Sequence, residues 1–283
     1  MRKIILTCAA SAVILTIYMM TPFVPGVFAK KGYTPKEMTG MTIVAHRGGA
    51  GMGIENSLGC IGKGMESGAD MIEIDIHLSK DGQIIVCHDR TIGRTTDGKG
   101  RISDLTLDEI RRFSLVDRHG QPVGEKIPTL DEVLDLIDGK CRLLIEIKHK
   151  KNVYKGIEAL LVEKIKARDA YSWITVQSFN DSVLETIHSI DSRVRLEKLC
   201  FFIRPGRGKL FDGSFTEFNY DKYHFISSFN IFHLCVSRSL AEELHSHGKE
   251  IKMWTLTSPD KAVNMPVDGI ITDRPDLWTK YRR

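Results

Sequence analysis

Charged side chains follow two apolar runs of this chain, each at the point where the run ends. Ile43–Ala45 leads into His46 and Arg47, and Ile84–Cys87 leads into His88. An imidazole titrates near neutral pH and can therefore take up or release a proton in a reaction. A guanidinium presents fixed donors that match phosphate oxygens. The two histidines predict a general acid and a general base that act on an anionic substrate.

Three carboxylates lie inside two further apolar runs. Glu73 and Asp75 flank one isoleucine, and Glu146 lies two residues before Lys148. Residues two apart in a strand point to the same face. Ionised carboxylates on one buried face repel each other unless a cation lies between them. We therefore predict an oxygen-rich site for Ca²⁺ or Mg²⁺. The alternatives are a structural ion-pair cluster and a zinc site that uses the histidines.

Other polar or aromatic residues at strand ends complete the predicted pocket. Arg47 and Lys148 supply fixed positive charge that suits a phosphate. Trp254 ends a later strand and is either a wall of the substrate pocket or a core residue. Gln177 is a candidate polar contact. Asp273 follows the last predicted strand, where we expect it to brace the closing loop.

Strand-like and helix-like segments alternate from residue 42 onward, which is typical of parallel strands joined by crossover helices. The predicted strands are Thr42–Ala45, Met71–Leu78, Gln83–Cys87, Arg142–Ile147, Ile174–Val176, Val194–Phe202, one within Phe225–Val236, Ile251–Leu256 and Val267–Thr272. An open doubly wound sheet is the alternative. In an open sheet the polar residues would cluster at one switch point, whereas here they lie at the C-terminal ends of many strands. In addition, no G-x-G-x-x-G follows the first strand. The sequence therefore predicts a (β/α)8 TIM barrel over residues 41–283.

The predicted helices connect these strands. They are Ser57–Ser67 with Asn56 as its N-cap, one from Thr106, one from Thr129, Tyr154–Arg168, Asp181–Ile190, Leu240–His247 and Pro259–Val263. Residues 90–128 break the alternation, because glycines, among them Gly93, Gly98, Gly100 and Gly120, separate short pieces there. The helix from Thr106 begins with a capping box and lies inside this segment. We interpret residues 90–128 as a small insertion after the strand that ends at His88.

The first 29 residues have the pattern of an export signal. Two basic residues precede the uncharged run Ile4–Phe28, and Val27-Phe28-Ala29 supplies the small residues of a cleavage site. The run is long for a cleaved signal peptide, so the alternative is an N-terminal anchor. Either reading predicts an exported protein, periplasmic or extracellular, with residues 30–40 as a linker.

Composition excludes one class of partner and leaves another open. The formal net charge of +4 is too small to predict nucleic-acid binding. The cysteines beyond residue 29 form no C-x-x-C pair and lie mostly in apolar runs, so we expect buried thiols rather than disulfides. Residues 203–223 form a long loop with several aromatic side chains. These aromatic side chains are expected either to pack under the loop or, together with the N-terminal segment, to contact a membrane.

Taken in order, these motifs resemble the glycerophosphodiester phosphodiesterase family from about residue 42 to 275. The matching motifs are His46-Arg47-Gly48, Glu55-Asn56-Ser57, Glu73-x-Asp75, Ser79-x-Asp81-Gly82, His88-Asp89, Arg94-Thr95-Thr96-x-Gly98-x-Gly100 and Glu146-x-Lys148. Ile54 stands where the family usually has proline, and Ser57 where threonine is common. The 203–223 loop has no clear counterpart. These departures leave the chemistry intact and bear on the leaving group.

The resemblance implies a barrel with a small insertion and a role for each matched residue. The implied metal ligands are Glu73, Asp75 and Glu146; the implied acid–base pair is His46 and His88; the implied phosphate contacts are Arg47 and Lys148. Family members cleave small substrates such as glycerophosphocholine to glycerol 3-phosphate and an alcohol. The resemblance implies that attack by the glycerol 2-hydroxyl gives a cyclic phosphate. The alternatives are a phospholipase D-like or lysophospholipase D-like enzyme acting on membrane lipids, and a non-catalytic binding barrel.

Overall fold

The computed structural model describes residues 40–148, 154–201, 210–211, 217–218, 220–259 and 265–280. The predicted signal segment 1–29, the predicted linker up to residue 39 and the predicted helix after Pro259 lie outside these ranges. In the part of the chain that the structure describes, no helix is both long enough and apolar enough to cross a membrane.

Eight parallel strands of the described residues close into a ring. In chain order the strands are β1 (Thr42–Ala45), β2 (Met71–Leu78), β3 (Ile84–Val86), β4 (Arg142–Ile147), β5 (Ile174–Ser178), β6 (Arg195–Cys200), β7 (Leu210–Phe211), β8 (Glu217–Phe218), β9 (Ile226–Phe232), β10 (Glu250–Trp254) and β11 (Gly269–Thr272). Parallel pairing follows the order β1, β2, β4, β5, β6, β9, β10, β11, and β11 pairs again with β1. β3 is antiparallel to β2, and β7 pairs with β8 outside the ring. The predicted TIM barrel is confirmed.

Helices follow most of the barrel strands. They are α1 (Leu58–Glu66), α2 (Leu107–Ile110), α3 (Leu130–Ile137), α4 (Ile157–Ala167), α5 (Asp181–Ile190), α6 (Arg238–Ser246) and α7 (Pro275–Thr279). The prediction that Asn56 caps α1 is wrong, because the Ser57 hydroxyl accepts from the Cys60 N–H. Asn56 has a φ of 60°, in the left-handed region, whereas an N-cap needs the extended backbone that Ser57 adopts.

Alternation along the barrel strands separates an apolar face from a polar one. On β2, the isoleucines Ile72, Ile74 and Ile76 are fully buried in the main apolar cluster together with the apolar face of α3. The residues between them, including Glu73 and Asp75, lie on the opposite face, inside the ring. The outward-facing apolar side chains pack against the helices and stabilise the fold. The inward-facing positions can therefore carry polar side chains.

Residues 90–128 have a small apolar cluster of their own. Its buried members are Ile85, Cys87, Ile92, Ile102, Ile110, Leu115 and Ile127. Ile85 belongs to β3 and Cys87 directly follows it, so the cluster attaches this segment to the strand that leads to His88. Capping boxes at Thr106 and Thr129 open α2 and α3, as predicted.

The loop 203–223 contributes two described tyrosines to packing against the barrel. Tyr223 is buried, and its hydroxyl donates to Asp181. The Tyr220 hydroxyl donates to Glu243. Within the same segment β7 and β8 form a short antiparallel pair. The remaining aromatic side chains of the loop lie outside the described side chains, so their contact with a membrane stays a prediction.

A glycine on α1 sets how closely the helix approaches the turn that follows β1. A Cβ at Gly64 would overlap the carbonyl oxygen of Gly48 and lie 3.0 Å from the Ile72 Cδ1. We expect Gly64→Ala to lower the free energy of unfolding by about 1–3 kcal/mol in urea titrations, as overpacked cores do. Gly62→Ala is the matched control, since nothing lies within 4 Å of its Cβ position. The control should be neutral or stabilising, and equal losses in both variants would contradict the close-approach argument.

Candidate active site

Three buried carboxylates meet inside the barrel at the ends of neighbouring strands. Asp75 on β2 lies opposite Glu146 on β4, and Glu73 precedes Asp75 on the same face. Their ligand oxygens lie within 4.8 Å of one another, and the three residues are 1%, 0% and 6% exposed. Burial and the neighbouring Asp75 raise the pKa of Glu73 to about 8. The three carboxylates form the kind of oxygen cluster that binds a divalent cation.

Two fixed cations border this cluster. The Lys148 Nζ lies 2.9 Å from the Asp75 Oδ1 and 2.8 Å from the Glu146 Oε1. The Arg47 Nε lies 3.6 Å from the Asp75 Oδ2, which also accepts from the Asn56 amide at 2.8 Å. Burial opposes ionisation of Asp75, but Lys148 and Arg47 outweigh it and hold the pKa of this carboxyl well below its usual range. Asp75 is therefore the carboxylate of the cluster whose negative charge is held most firmly.

The backbone at Arg47 is shaped to reach the same cluster. Arg47 has a φ of 52°, in the left-handed region that costs a non-glycine residue about 1–2 kcal/mol. In this conformation its N–H donates to the Glu73 Oε2 at 2.8 Å, while its Nη1 donates to the Glu55 Oε1 at 3.0 Å. The turn after β1 thus binds one carboxylate of the cluster through the backbone and places a guanidinium beside another.

His46 follows β1 and is paired with a carboxylate from the other end of the chain. Its Nδ1 lies 2.6 Å from the Asp273 Oδ1. Burial and Arg47 lower the pKa of His46, but the hydrogen bond and charge of Asp273, together with Glu73, outweigh them and raise it. The expectation that Asp273 only braces the closing loop was incomplete. Its backbone carbonyl does brace the loop by accepting from Gly51, and its side chain orients the imidazole.

His88 follows β3 and has an equivalent carboxylate partner. Its Nδ1 lies 2.7 Å from the Asp89 Oδ1, and the Arg94 Nε donates to the Asp89 Oδ2 at 2.6 Å. The hydrogen bond from His88 and those from Arg94 hold the pKa of Asp89 well below its usual range. Arg94 also donates to Glu55 from both terminal nitrogens. Arg94, in residues 90–128, therefore ties the His88 loop to the residue that binds Arg47.

Trp254 lies at the end of β10 in an aromatic cluster. Its Nε1 donates to the Asn230 carbonyl oxygen at 2.9 Å, and its ring meets Phe179 and Phe232 at centroid distances of 5.7 and 5.3 Å. The ring is half-buried and packs on an apolar cluster inside the barrel. Core packing is thus one role of Trp254, and its contact with substrate stays a prediction.

Comparison with known proteins places this arrangement in a family. The model of the glycerophosphoryl diester phosphodiesterase family matches residues 46–277. The chain belongs to this family. A glycerophosphodiester phosphodiesterase of Caldanaerobacter subterraneus subsp. tengcongensis is 33% identical over 241 residues, 83% of this chain and 94% of the relative. One from Bacillus altitudinis is 32% identical and covers 85% and 97% of the two chains.

Solved structures of the family share the fold. The phosphodiesterase of Oleispira antarctica, in complex with the product sn-glycerol-3-phosphate, matches with a TM-score of 0.75 at 23% identity. The match covers 88% of this chain and 99% of that chain. Membership of the family makes the chain a phosphoric diester hydrolase, and the resemblance found in the sequence is confirmed.

Sequence reasoning missed or underweighted several side chains that contact these candidate residues. Asp89 and Glu55 stood in the matched motifs without a role, and Gln177 was only a candidate polar contact. The Gln177 Nε2 in fact donates to the Glu73 Oε1 at 3.3 Å. The signal that could have found Asp89 is its position directly after His88, since a carboxylate beside an imidazole commonly orients it.

The contact between Asp273 and His46 makes a prediction about proton affinity. In Asp273→Asn the negative charge is lost while the side chain keeps its size. Because that charge raises the pKa of His46, we expect the imidazole of the variant to titrate at lower pH. The measurement is the NMR titration of the His46 ring proton. Asp268→Asn, beside the exposed His245, is the control that should leave this signal unchanged. An unaltered or higher midpoint in Asp273→Asn would refute the pairing.

Proposed function

We propose that this chain hydrolyses glycerophosphodiesters such as glycerophosphocholine to sn-glycerol 3-phosphate and an alcohol. The observation that carries the proposal is the buried triad Glu73, Asp75 and Glu146, with a histidine–carboxylate pair at the end of β1 and another after β3. Relatives covering most of the chain are named for this activity, and a structural relative was solved with sn-glycerol-3-phosphate. The substrate is therefore a small anionic diester.

A divalent cation fits the triad. All three residues offer oxygen, which favours Ca²⁺ or Mg²⁺ over zinc. Burial and then repulsion by Asp75 raise the pKa of Glu73, and a bound cation would offset both penalties. Such a cation, when bound, would neutralise phosphate charge and lower the pKa of a coordinated hydroxyl. Arg47 and Lys148, already at the border of the triad, supply further positive charge for the phosphate oxygens.

The histidines supply the proton transfers in this proposal. His46 and His88 each direct the Nδ1 at a carboxylate, which leaves the Nε2 of each ring for the substrate. One imidazole takes the proton of the glycerol 2-hydroxyl as that oxygen attacks phosphorus and a cyclic phosphate forms. The other protonates the departing alcohol oxygen. In a second step one imidazole takes a proton from a water molecule as that water attacks the phosphorus of the cyclic phosphate. The bond from phosphorus to the glycerol 2-oxygen breaks, the other imidazole returns a proton to that oxygen, and sn-glycerol 3-phosphate is released. Asp273 and Asp89 orient the rings and stabilise whichever ring carries the proton.

One experiment tests both the proposed substrate and the proposed dependence on a divalent ion. The full chain, stripped of metal, is supplied with glycerophosphocholine, and release of sn-glycerol 3-phosphate is followed with Ca²⁺, Mg²⁺ or chelator. We expect release that depends on a divalent ion. A folded sample that releases no product with any divalent ion would overturn the proposal. Activity of that sample on lysophospholipid would favour the lipid-directed alternative instead, and binding without turnover would favour the non-catalytic barrel.

We also propose that residues 1–29 export the barrel. The support is the sequence pattern alone: two basic residues, an uncharged run and small residues before Lys30. The test is expression of the full chain in a bacterium, fractionation and N-terminal sequencing. A periplasmic or secreted chain that begins at Lys30 would support a cleaved signal peptide, and an intact membrane-bound chain would support an anchor. An intact chain found in the cytoplasm would refute export.

A further inference from the structure

A line of buried polar side chains crosses the barrel interior from β10 to β2. Its four inner members are 1%, 0%, 1% and 3% exposed and belong to four adjacent strands: Gln177 on β5, Asn230 on β9, Glu197 on β6 and Lys252 on β10. At one end Gln177 contacts Glu73. At the other end the Lys252 Nζ donates to the Glu197 Oε1 at 2.7 Å.

The hydrogen bonds along this line have a fixed direction. A carboxylate that is paired with an ammonium accepts hydrogen bonds and donates none. The Asn230 Nδ2 donates to the Glu197 Oε2 at 2.8 Å and to the Gln177 Oε1 at 2.7 Å, which uses both of its hydrogens. The Gln177 carbonyl is thereby an acceptor, so its amide nitrogen must face the Glu73 Oε1.

Two further contacts fix the position of the line. The Ser228 hydroxyl donates to the Asn230 Oδ1 at 3.1 Å, which holds the other side of that amide. Gly269 leaves room for the Lys252 stem, because a Cβ there would lie 3.1 Å from the Lys252 Cγ. The orientations of the Asn230 and Gln177 amides therefore follow from the donors and acceptors around them. The space beside Gly269 allows Lys252 to reach Glu197.

Core stability alone does not call for such a line. A buried ion pair commonly contributes no more to stability than apolar side chains of the same volume. What the polar line adds is a donor aimed at one carboxylate of the triad. Together with the Arg47 N–H on the Glu73 Oε2, it binds both oxygens of Glu73. A carboxylate held at both oxygens cannot rotate away from its two acidic neighbours without losing a hydrogen bond.

We propose that Gln177 and Asn230, anchored by the Glu197–Lys252 pair, are positioning residues that fix the orientation of Glu73 in the metal site. The inference rests on the proposed function, since it takes Glu73 to be a metal ligand. Partners of metal ligands commonly contribute 10- to 100-fold to metal affinity. In this proposal the line acts through Glu73.

The test uses Gln177→Met and Asn230→Leu, which keep the approximate side-chain size and remove the donors. The control is Lys198→Met on β6. The Lys198 ammonium is also buried, but it faces Asp181 and the Phe179 carbonyl outside the ring. Dissociation constants for Ca²⁺ and for Mg²⁺ alone are measured by calorimetry on the full-length chain, with thermal unfolding recorded in parallel. The two variants remove different hydrogen bonds of the line. The test can therefore be made even if only one of them folds.

We expect the dissociation constant to rise about 10-fold or more in Gln177→Met and Asn230→Leu. Lys198→Met should lose thermal stability and keep wild-type metal affinity. Unchanged affinity in either folded variant would overturn the inference, and so would an equal loss of affinity in the Lys198→Met control. A wild-type chain that bound neither ion would instead show that the proposed metal site, and with it this inference, is wrong.

Discussion

Alanine at His46 or at His88 is expected to lower kcat for glycerophosphodiester hydrolysis by about 10²- to 10⁴-fold, the range that general acid–base catalysis contributes. Each imidazole is held through its Nδ1 by a carboxylate, Asp273 or Asp89, and each side chain is partly open, at 18% and 30% exposed. Removing a partly open side chain leaves no apolar cavity of consequence. The thermal unfolding midpoint should therefore change little while turnover is lost.

The measurement is steady-state release of sn-glycerol 3-phosphate under saturating divalent ion. His245→Ala is a matched control, because His245 also contacts a carboxylate, Asp268, at 2.9 Å but lies at the end of α6. The control should retain wild-type kcat. A His46→Ala or His88→Ala variant with near wild-type turnover would remove that residue from the acid–base pair. A large fall in the unfolding midpoint would indicate a structural role instead.

The second large effect is expected for Glu73→Gln. Glutamine keeps the shape of the side chain and removes one negative charge from three that crowd within 4.8 Å. Loss of a ligand charge should weaken Ca²⁺ or Mg²⁺ binding by more than about 100-fold, beyond the effect of an outer partner. The metal-free protein should lose only modest stability. The substitution relieves repulsion with Asp75 and Glu146, which offsets the one hydrogen bond that the amide nitrogen of glutamine does not accept.

These opposite expectations separate a ligand from a structural carboxylate. Calorimetry with each ion gives the affinity, and thermal unfolding of the metal-free chain gives the stability. Glu243→Gln is the control, since Glu243 lies on α6 and accepts from the Tyr220 hydroxyl outside the triad. Unchanged affinity in Glu73→Gln would exclude Glu73 from the ligand set. A large loss of stability without metal would favour the structural ion-pair cluster.

Much of the barrel could be predicted because its information is local. The bounds of β1, β2 and β4 match the predictions, since in each strand a short apolar run is bounded by turn residues or charge. The same alternation placed Glu73 and Asp75 on one face. α7 was not predicted, because five residues are too few to show a helical period. The bounds of β9 could not be predicted, because the segment Phe225–Val236 contains no glycine or proline that marks where the strand ends.

The partners of the candidate residues were harder to predict than the residues themselves. Asp273 and His46 are far apart in the chain, and Gln177 reaches Glu73 across the barrel. Such pairs depend on which strands are neighbours and in what register, which no local pattern contains. The roles of Asp273 and Gln177 therefore emerged only from the three-dimensional arrangement.

The pairing of His46 with Asp273 also constrains when the site can exist during folding. The two residues are separated by 227 positions, and β1 joins β11 to close the ring. A nascent chain that lacks β11 therefore has neither a closed barrel nor an oriented His46, however well its first strands have formed. Contacts of such long range are made late and slowly, because the loop entropy must be lost before they form. Catalytic competence should thus appear together with ring closure rather than gradually as the strands are added.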